Sequence, residues 1–314
     1  MWREIDDPRA PEHDRPEPGR GRVESDTDVQ PVPTSNDPRD VFTRDLDLPR
    51  GSSRERVHAN DREYRLSGED VRVLATVGAF RVVPSGDLRE SNPRTPTRPA
   101  RDLERLRDLG LVRTTPYVLG RTRTNLVTLT SEGRALLEGS RRPGSSAPKQ
   151  AFYVGISKPR ELAHDSRVYE AYMRAAERHA EQGERVRQVV LEEELKREYQ
   201  RFLQAENRTR RESGAPVERT QEAVARWAQE HQLPYEDGHV RLPDARLECE
   251  DRDGRRTIED IEVVTPHYRG AHAAATARAG FTRYRAVGAR LGGLRTTGSS
   301  GRGVNPRLAE ELLQ

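Results

Sequence analysis

Apolar residues recur at helical spacing at Val71, Leu74, Ala75 and Gly78, behind Ser67 and the acids Glu69 and Asp70. That pattern predicts a helix to about Phe80, N-capped by Ser67 and carrying first-turn acids that suit the helix dipole. Pro84-Ser85 opens a predicted short second helix through Leu88. A third runs from Thr97 to Leu109, its buried side marked by Leu103, Leu106 and Leu109, and Gly110 ends it. Two β-like runs follow, Leu111 to Val118 and Thr124 to Thr130, then a last helix over 133–137 capped by Thr130 or Ser131. Beyond residue 150 the pattern alternates between the two periods. An apolar run over 151–156 predicts a strand, 161–182 a helix, 186–191 a strand, 192–205 and 217–232 helices, 242–250 and 257–265 paired strands, and 270–286 a closing helix. The fold class this implies is α/β, or α+β over the whole chain.

Residues 1–62 mix Asp, Glu, Arg and Pro without an apolar period, as in Ala10-Pro11-Glu12-His13-Asp14-Arg15-Pro16, and read as a disordered arm. Residues 63–140 hold the first set of elements, 141–150 form a linker rich in Arg, Pro, Gly and Ser, 151–291 form an α/β domain, and 292–314 a flexible tail. Three helices, a hairpin and a helix in succession are the order of a winged helix-turn-helix domain. The run Leu106-Arg-Asp-Leu-Gly-Leu-Val112, the hairpin, and Leu129-Thr-Ser-Glu-Gly133 resemble the same region of MarR-like bacterial winged-helix regulators. The resemblance implies a third helix in the major groove and a hairpin tip on backbone or minor groove. Placing the three leucines toward the core puts Thr97, Arg98, Arg101 and Arg105 on the opposite face, suited to reading base edges. Arg121 and Arg123 at the hairpin tip are placed to reach phosphate. The partner expected is double-stranded DNA, bound by a monomer or by a homodimer on two half-sites, although no dimer helix is defined in the sequence.

Composition changes this picture little. The chain of 314 residues is 34% charged and 5% aromatic, with a formal net charge of +3, so placement of charge and not its total carries the argument. Three of the 55 basic residues are lysine, Lys149, Lys158 and Lys196. The single cysteine, Cys249, excludes an internal disulfide framework and a multi-thiolate zinc cluster. No apolar stretch is long enough to span a bilayer and Met1 precedes no apolar signal segment, so a cytoplasmic protein without membrane contact is expected. No Gly-rich phosphate loop marks a small-molecule cofactor. His267 and His272, five apart, do not share a helical face, and the acids Glu192 to Glu194 suit a helix start.

Pro243-Asp244 at the start of a strand, a turn at Asp253-Gly254, and a second strand holding Glu262 resemble the core of the PD-(D/E)xK nuclease superfamily. There the two acids hold a divalent metal and a lysine positions or activates water, which would make Asp244 and Glu262 ligands of Mg²⁺. Val264 stands where that lysine would be; Lys196 and Arg278 are the residues that could replace it. Together with Glu161-Leu-Ala-His164-Asp165, Glu192-Glu193-Glu194 and Ile261-Glu262-Val-Val-Thr265, the arrangement resembles the replication-relaxation family of actinobacterial plasmids and integrative elements. That family joins a winged helix to a degenerate restriction-endonuclease-like domain. Membership implies a DNA-binding protein in replication, transfer or transcription control of a mobile element, without catalysis and without a cofactor. Two alternatives stand beside it: a Mg²⁺-dependent DNA nuclease with Asp244, Glu262 and His164 as candidate catalytic residues, and a protein-interaction adaptor.

Overall fold

A computed structural model describes residues 37–59, 61–88, 99–119, 122–145, 149–156, 161–213, 219–264 and 279–285. Helix α1 (Gly68–Phe80) starts at a complete capping box: the Ser67 hydroxyl accepts from the Asp70 amide at 3.3 Å, and the Asp70 carboxylate accepts from the Ser67 amide at 2.8 Å. Strand β3 (Val83–Pro84) follows, then α2 (Pro99–Asp108), the hairpin of β4 (Val112–Leu119) and β5 (Thr122–Leu129), and α3 (Ser131–Gly139), whose cap is the Thr130 hydroxyl. The three strands form an antiparallel sheet in the order β3-β5-β4. On α2, Leu106 is fully buried and Leu103 and Leu109 pack against the core, as their spacing predicts.

The helix expected from Pro84 to Leu88 is instead the end of β3 and a turn. Val83 and Pro84 pair with β5, the Ser85 amide donates to the Asn125 carbonyl of β5 at 2.8 Å, and the Asp87 amide closes a turn on the Pro84 carbonyl at 2.9 Å.

The part of the predicted arm that is described, from residue 37, is folded; residues 1–36 lie outside the described residues. A 3-10 turn (Pro38–Thr43) and the hairpin of β1 (Glu55–Ala59) and β2 (Arg62–Leu66) belong to the fold. Four scattered apolar residues, Val41, Phe42, Leu46 and Leu48, are buried here. Arg39 is wholly buried, yet each end of its guanidinium has a carboxylate, Asp37 at 2.6 Å and Glu69 at 2.9 Å. Burial is tolerated because the charge is paired and its donors are used; so charged a segment looked unable to fold because its pairing lies 30 residues away.

The second half is built on a four-stranded mixed sheet in the order β11-β10-β9-β6. Strands β6 (Arg185–Leu191), β9 (Ala245–Glu250) and β10 (Arg256–Val264) are antiparallel neighbours, and β11 (Thr282–Arg285) runs parallel to β10. Helix α4 (Leu162–Glu181) lies on this sheet. Between β6 and β9 the chain makes α5 (Glu192–Ser213), α6 (Arg219–Glu230) and the short hairpin β7 (Tyr235–Glu236) and β8 (His239–Val240), with their own small core around Trp227, Ala228 and Leu233. The end of the helix expected over 270–286 is the strand β11, and most of that span lies outside the described residues, as do His267, His272 and Arg278.

The expected linker and the expected strand over 151–156 tie the halves together. The Gln150 amide donates to the Val189 carbonyl at 2.8 Å and its oxygen accepts the Val189 amide at 3.3 Å, so a side chain closes the open edge of β6. Residues 151–156 are extended but join no sheet. The Tyr153 amide donates to Gly78 of α1 and the Gly155 amide to Leu129 of β5. Phe152 packs so closely on α1 that a Cβ at Gly78 would stand 2.9 Å from its ring, which is why glycine occupies that helical position. Phe80 of α1 then lies 5.1 Å from both Tyr169 and Tyr172 of α4, and Phe42 meets Phe80 edge to face at 5.4 Å. One hydrophobic cluster therefore runs from Val41 to Val263, and the described residues fall in one compact unit. Among the described residues no helix is long and apolar enough to cross a membrane.

On the sheet face under α4, His179 sits between Glu184 and Glu259, each 2.6 Å from a ring nitrogen, and Arg178 also reaches Glu259. Hydrogen bonding to Cys249 and then to Glu259 raises His179 to about 10. Burial opposes the charge on Glu259, but the bonds from His179 and Arg178 outweigh it and hold the carboxyl at about 2. A raised histidine stabilises fully below its free value of 6.5 and loses that contribution as pH rises toward 10. A depressed carboxylate stabilises fully above 4.5 and loses its contribution as pH falls toward 2. Thermal melts of the native chain and His179→Gln should therefore differ most between about pH 4.5 and 6.5, and converge toward both extremes. A difference that does not change with pH would contradict the pairing.

Candidate functional site

Strand β9 begins and β10 ends where the first turns of α4 and α5 converge, and the end of α1 closes the same place from the other half. The cleft so formed, about 310 Å³, is lined by Phe80 and Arg81, by Glu161, His164 and Asp165 of the α4 start, by Glu192, Glu193 and Lys196 of α5, and by Asp244 and Glu262 of the sheet. The candidates Asp244, Glu262, His164 and Lys196, spread over nearly a hundred residues of sequence, thus share one cavity.

Asp244 is fixed by its backbone. Its amide donates to the Ile261 carbonyl at 3.0 Å, and its carbonyl accepts from the Glu192 amide at 3.1 Å, which locks the start of β9 to both β10 and α5. Its Oδ2 accepts from the Val263 amide at 2.7 Å and faces His164 Nε2 at 3.1 Å. His164 Nδ1 is 3.6 Å from Asp165, and Asp165 pairs with Arg81 at 2.9 Å. Burial disfavours a charged His164, but the carboxylates of Asp165 and Asp244 more than compensate and raise the ring to about 10. At neutral pH it is an imidazolium between two acids, with no lone pair for a base or a ligand. Glu262 is buried, and Lys196 pairs with Glu192 one turn back at 2.6 Å.

Arg81 was not marked by any sequence pattern. It ends α1 at φ 65°, ψ −51°, a conformation that non-glycine residues adopt at a cost of about 1–3 kcal/mol, and the Val82 amide closes the turn on the Phe80 carbonyl at 2.6 Å. The sharp reversal sends its guanidinium into the cleft, where it also meets Glu193 at 3.1 Å.

Asp244 and Glu262 were predicted to hold Mg²⁺. Both contacts to Asp244 fall on Oδ2, and one of them is the imidazolium. Among the described residues no three His, Cys, Asp or Glu side chains stand close enough together to share a cation. With Asp244 Oδ2 taken by an amide and an imidazolium, the donor set in this arrangement does not fit a divalent metal.

The predicted DNA contacts fare unevenly. Thr97, Arg98 and Arg121 lie outside the described residues, as does the side chain of Arg101. Arg123 is exposed on β5. Arg105 does not face outward: its guanidinium pairs with Asp70 of α1 and donates to the Arg65 carbonyl at 2.8 Å. Four residues from Leu109, it lies on the flank of the leucine face and not opposite it, within reach of the buried acid.

Arg81 and Asp165 are both nearly buried, and removing one leaves the other only its second partner, Glu193 for Arg81 or His164 for Asp165. Arg81→Ala and Asp165→Ala should each destabilise the chain in denaturant titrations, by less than the ~3–5 kcal/mol of a buried charge left wholly unpaired. The double variant should lose clearly less than their sum; strict additivity would contradict a direct pair.

Comparison of the chain with family models, with curated proteins and with solved structures finds no match.

Proposed function

We propose that α1 to α3 with the β3-β5-β4 sheet form a winged helix-turn-helix module that binds double-stranded DNA, in a protein serving replication, transfer or transcription control of a plasmid or integrative element. The observation that carries this reading is the topology. The helix α2, buried through Leu106, leads directly into an antiparallel hairpin whose second strand is the centre of a three-stranded sheet. In such a module the helix before the hairpin enters the major groove. Arg98 and Arg101 are assigned to base edges and Arg121 and Arg123 to phosphates; Arg105 is withdrawn from that set, since it holds α2 to α1. The second half supplies a reduced frame of the PD-(D/E)xK type, a reading supported by three antiparallel strands with a fourth parallel to the third, and by Asp244 and Glu262 in one cleft.

A second reading, Mg²⁺-dependent cleavage of DNA, draws support from Lys196, which stands in the cleft although Val264 holds the lysine's place on the strand. It requires His164 to release Asp244. Mg²⁺-dependent nicking of plasmid DNA, lost in Asp244→Ala, would establish it over the non-catalytic reading.

The test of the main reading is fluorescence anisotropy of the full chain with duplex DNA over a salt series. Affinity should fall steeply with salt, and Arg98→Ala/Arg101→Ala should cost about 1–3 kcal/mol per arginine. Absence of binding at about 50 mM salt would contradict DNA binding and favour the adaptor reading.

A further inference from the structure

The β1–β2 hairpin straddles the boundary that the sequence pattern draws at residue 62, with β1 in the expected arm and β2 beyond Arg62 in the expected winged-helix domain, and no function was assigned to it. One of its faces is committed to the core: Tyr64 and Leu66 are buried and Val57 packs against the cluster. The other carries Arg56, His58, Glu63 and Arg65, all exposed. The register places Arg56 directly opposite Arg65. Like charges at directly opposed positions destabilise an antiparallel pair, and the side chains stand only about 5 Å apart at Cβ. Glu63 is the one carboxylate on this face. It lies 3.6 Å from Arg56 and 4.0 Å from His58, and Arg65 has no carboxylate partner among the described residues.

The hairpin is also fixed beside α2. Arg105 of α2 donates to the Arg65 carbonyl, and Arg54, just before β1, donates to Asp102 of α2 at 2.9 Å. These two contacts hold the hairpin beside α2, and the Arg54 contact pairs an acid in the first turn of that helix.

We infer that the Arg56/Arg65 face of the β1–β2 hairpin is a second contact to the phosphate backbone of duplex DNA, flanking α2. The inference rests on the reading of α2 as the groove-entering helix. A phosphate between or beside the two guanidinium groups turns an unfavourable cross-strand pair into a bidentate anion clamp. The face contributes to affinity and to the placing of α2, not to sequence discrimination, because phosphate contacts carry no base information.

The experiment compares the full chain with Arg56→Gln/Arg65→Gln, Arg56→Lys/Arg65→Lys and Arg62→Gln, using a labelled mixed-sequence duplex over a salt series from about 50 mM. Arg62 lies off this face, 3.8 Å from Glu132, and serves as control. The Gln pair should weaken binding roughly tenfold at low salt and lower the slope of log affinity against log salt by about 1.8, two contacts at about 0.9 each. The Lys pair should keep most of the slope, and Arg62→Gln should change neither quantity. The free Gln pair should melt no lower than the unmodified chain, since a repulsion has been removed. Duplex binding with affinity and slope unchanged in the Gln pair would overturn this inference alone. No duplex binding by the unmodified chain would overturn it together with the reading of α2.

Discussion

Four aromatic rings decide the architecture. Phe42 from the N-terminal turn, Phe80 from the end of α1, and Tyr169 and Tyr172 from α4 pack at centroid separations between 5.1 and 6.3 Å. Removing one such buried ring costs about 3–5 kcal/mol, a large share of the 5–15 kcal/mol that holds an ordinary domain together. Tyr172 also donates its hydroxyl to the Pro38 carbonyl at 2.5 Å, so the turn that delivers Phe42 is held by the helix it packs on. Neither half has this core alone. The cleft follows from it: with Phe80 seated against α4, the next residue, Arg81, has nowhere to go but across the first turns of α4 and α5.

The same geometry explains how the charges are distributed. Four buried or nearly buried acids have a cation supplied from a different element: Asp165 from the end of α1, Asp244 from α4, Asp70 from α2, Glu259 from its facing helix. Such pairs contribute little net stability against an apolar replacement but strongly penalise any arrangement that separates them, so they fix which element lies against which. Asp165 and Asp244 are in this sense structural, while Arg56, Arg65 and Arg123 remain exposed on the first half.

Much of the first half was legible. Leu103, Leu106 and Leu109 mark α2 because their period matches a helix facing one core, and Thr130 marks the start of α3 because its hydroxyl has a fixed job there. In the second half the strands at 185–191, 245–250 and 256–264 were legible, whereas β11 and the β7–β8 hairpin were not, and the strand expected over 151–156 joins no sheet. Asp244 and Glu262, marked by a motif resemblance, share the cleft. What escaped was non-local. The turn at residues 38–43 buries two apolar side chains and an arginine whose second acid is Glu69, a pairing that no window of sequence displays. Arg105 was misplaced because a helix-face count cannot see Asp70 across the interface. The linker of Ser, Pro and Gly resembles any flexible joint, yet Arg141 bonds the Gln150 carbonyl and Asp45, and Gln150 completes a sheet edge. Arg81 gave no signal because its role depends on a backbone reversal that a non-glycine residue rarely adopts.

The central claim, that both halves are one cooperative body with the cleft at their seam, is tested most directly by calorimetry of the full chain. A shared core predicts a single unfolding endotherm whose calorimetric and van't Hoff enthalpies agree. The same single transition should move to lower temperature in Phe42→Ala, a residue remote in sequence from the second half. Two separable transitions, with Phe42→Ala shifting only one of them, would contradict the account and return the chain to two domains on a linker.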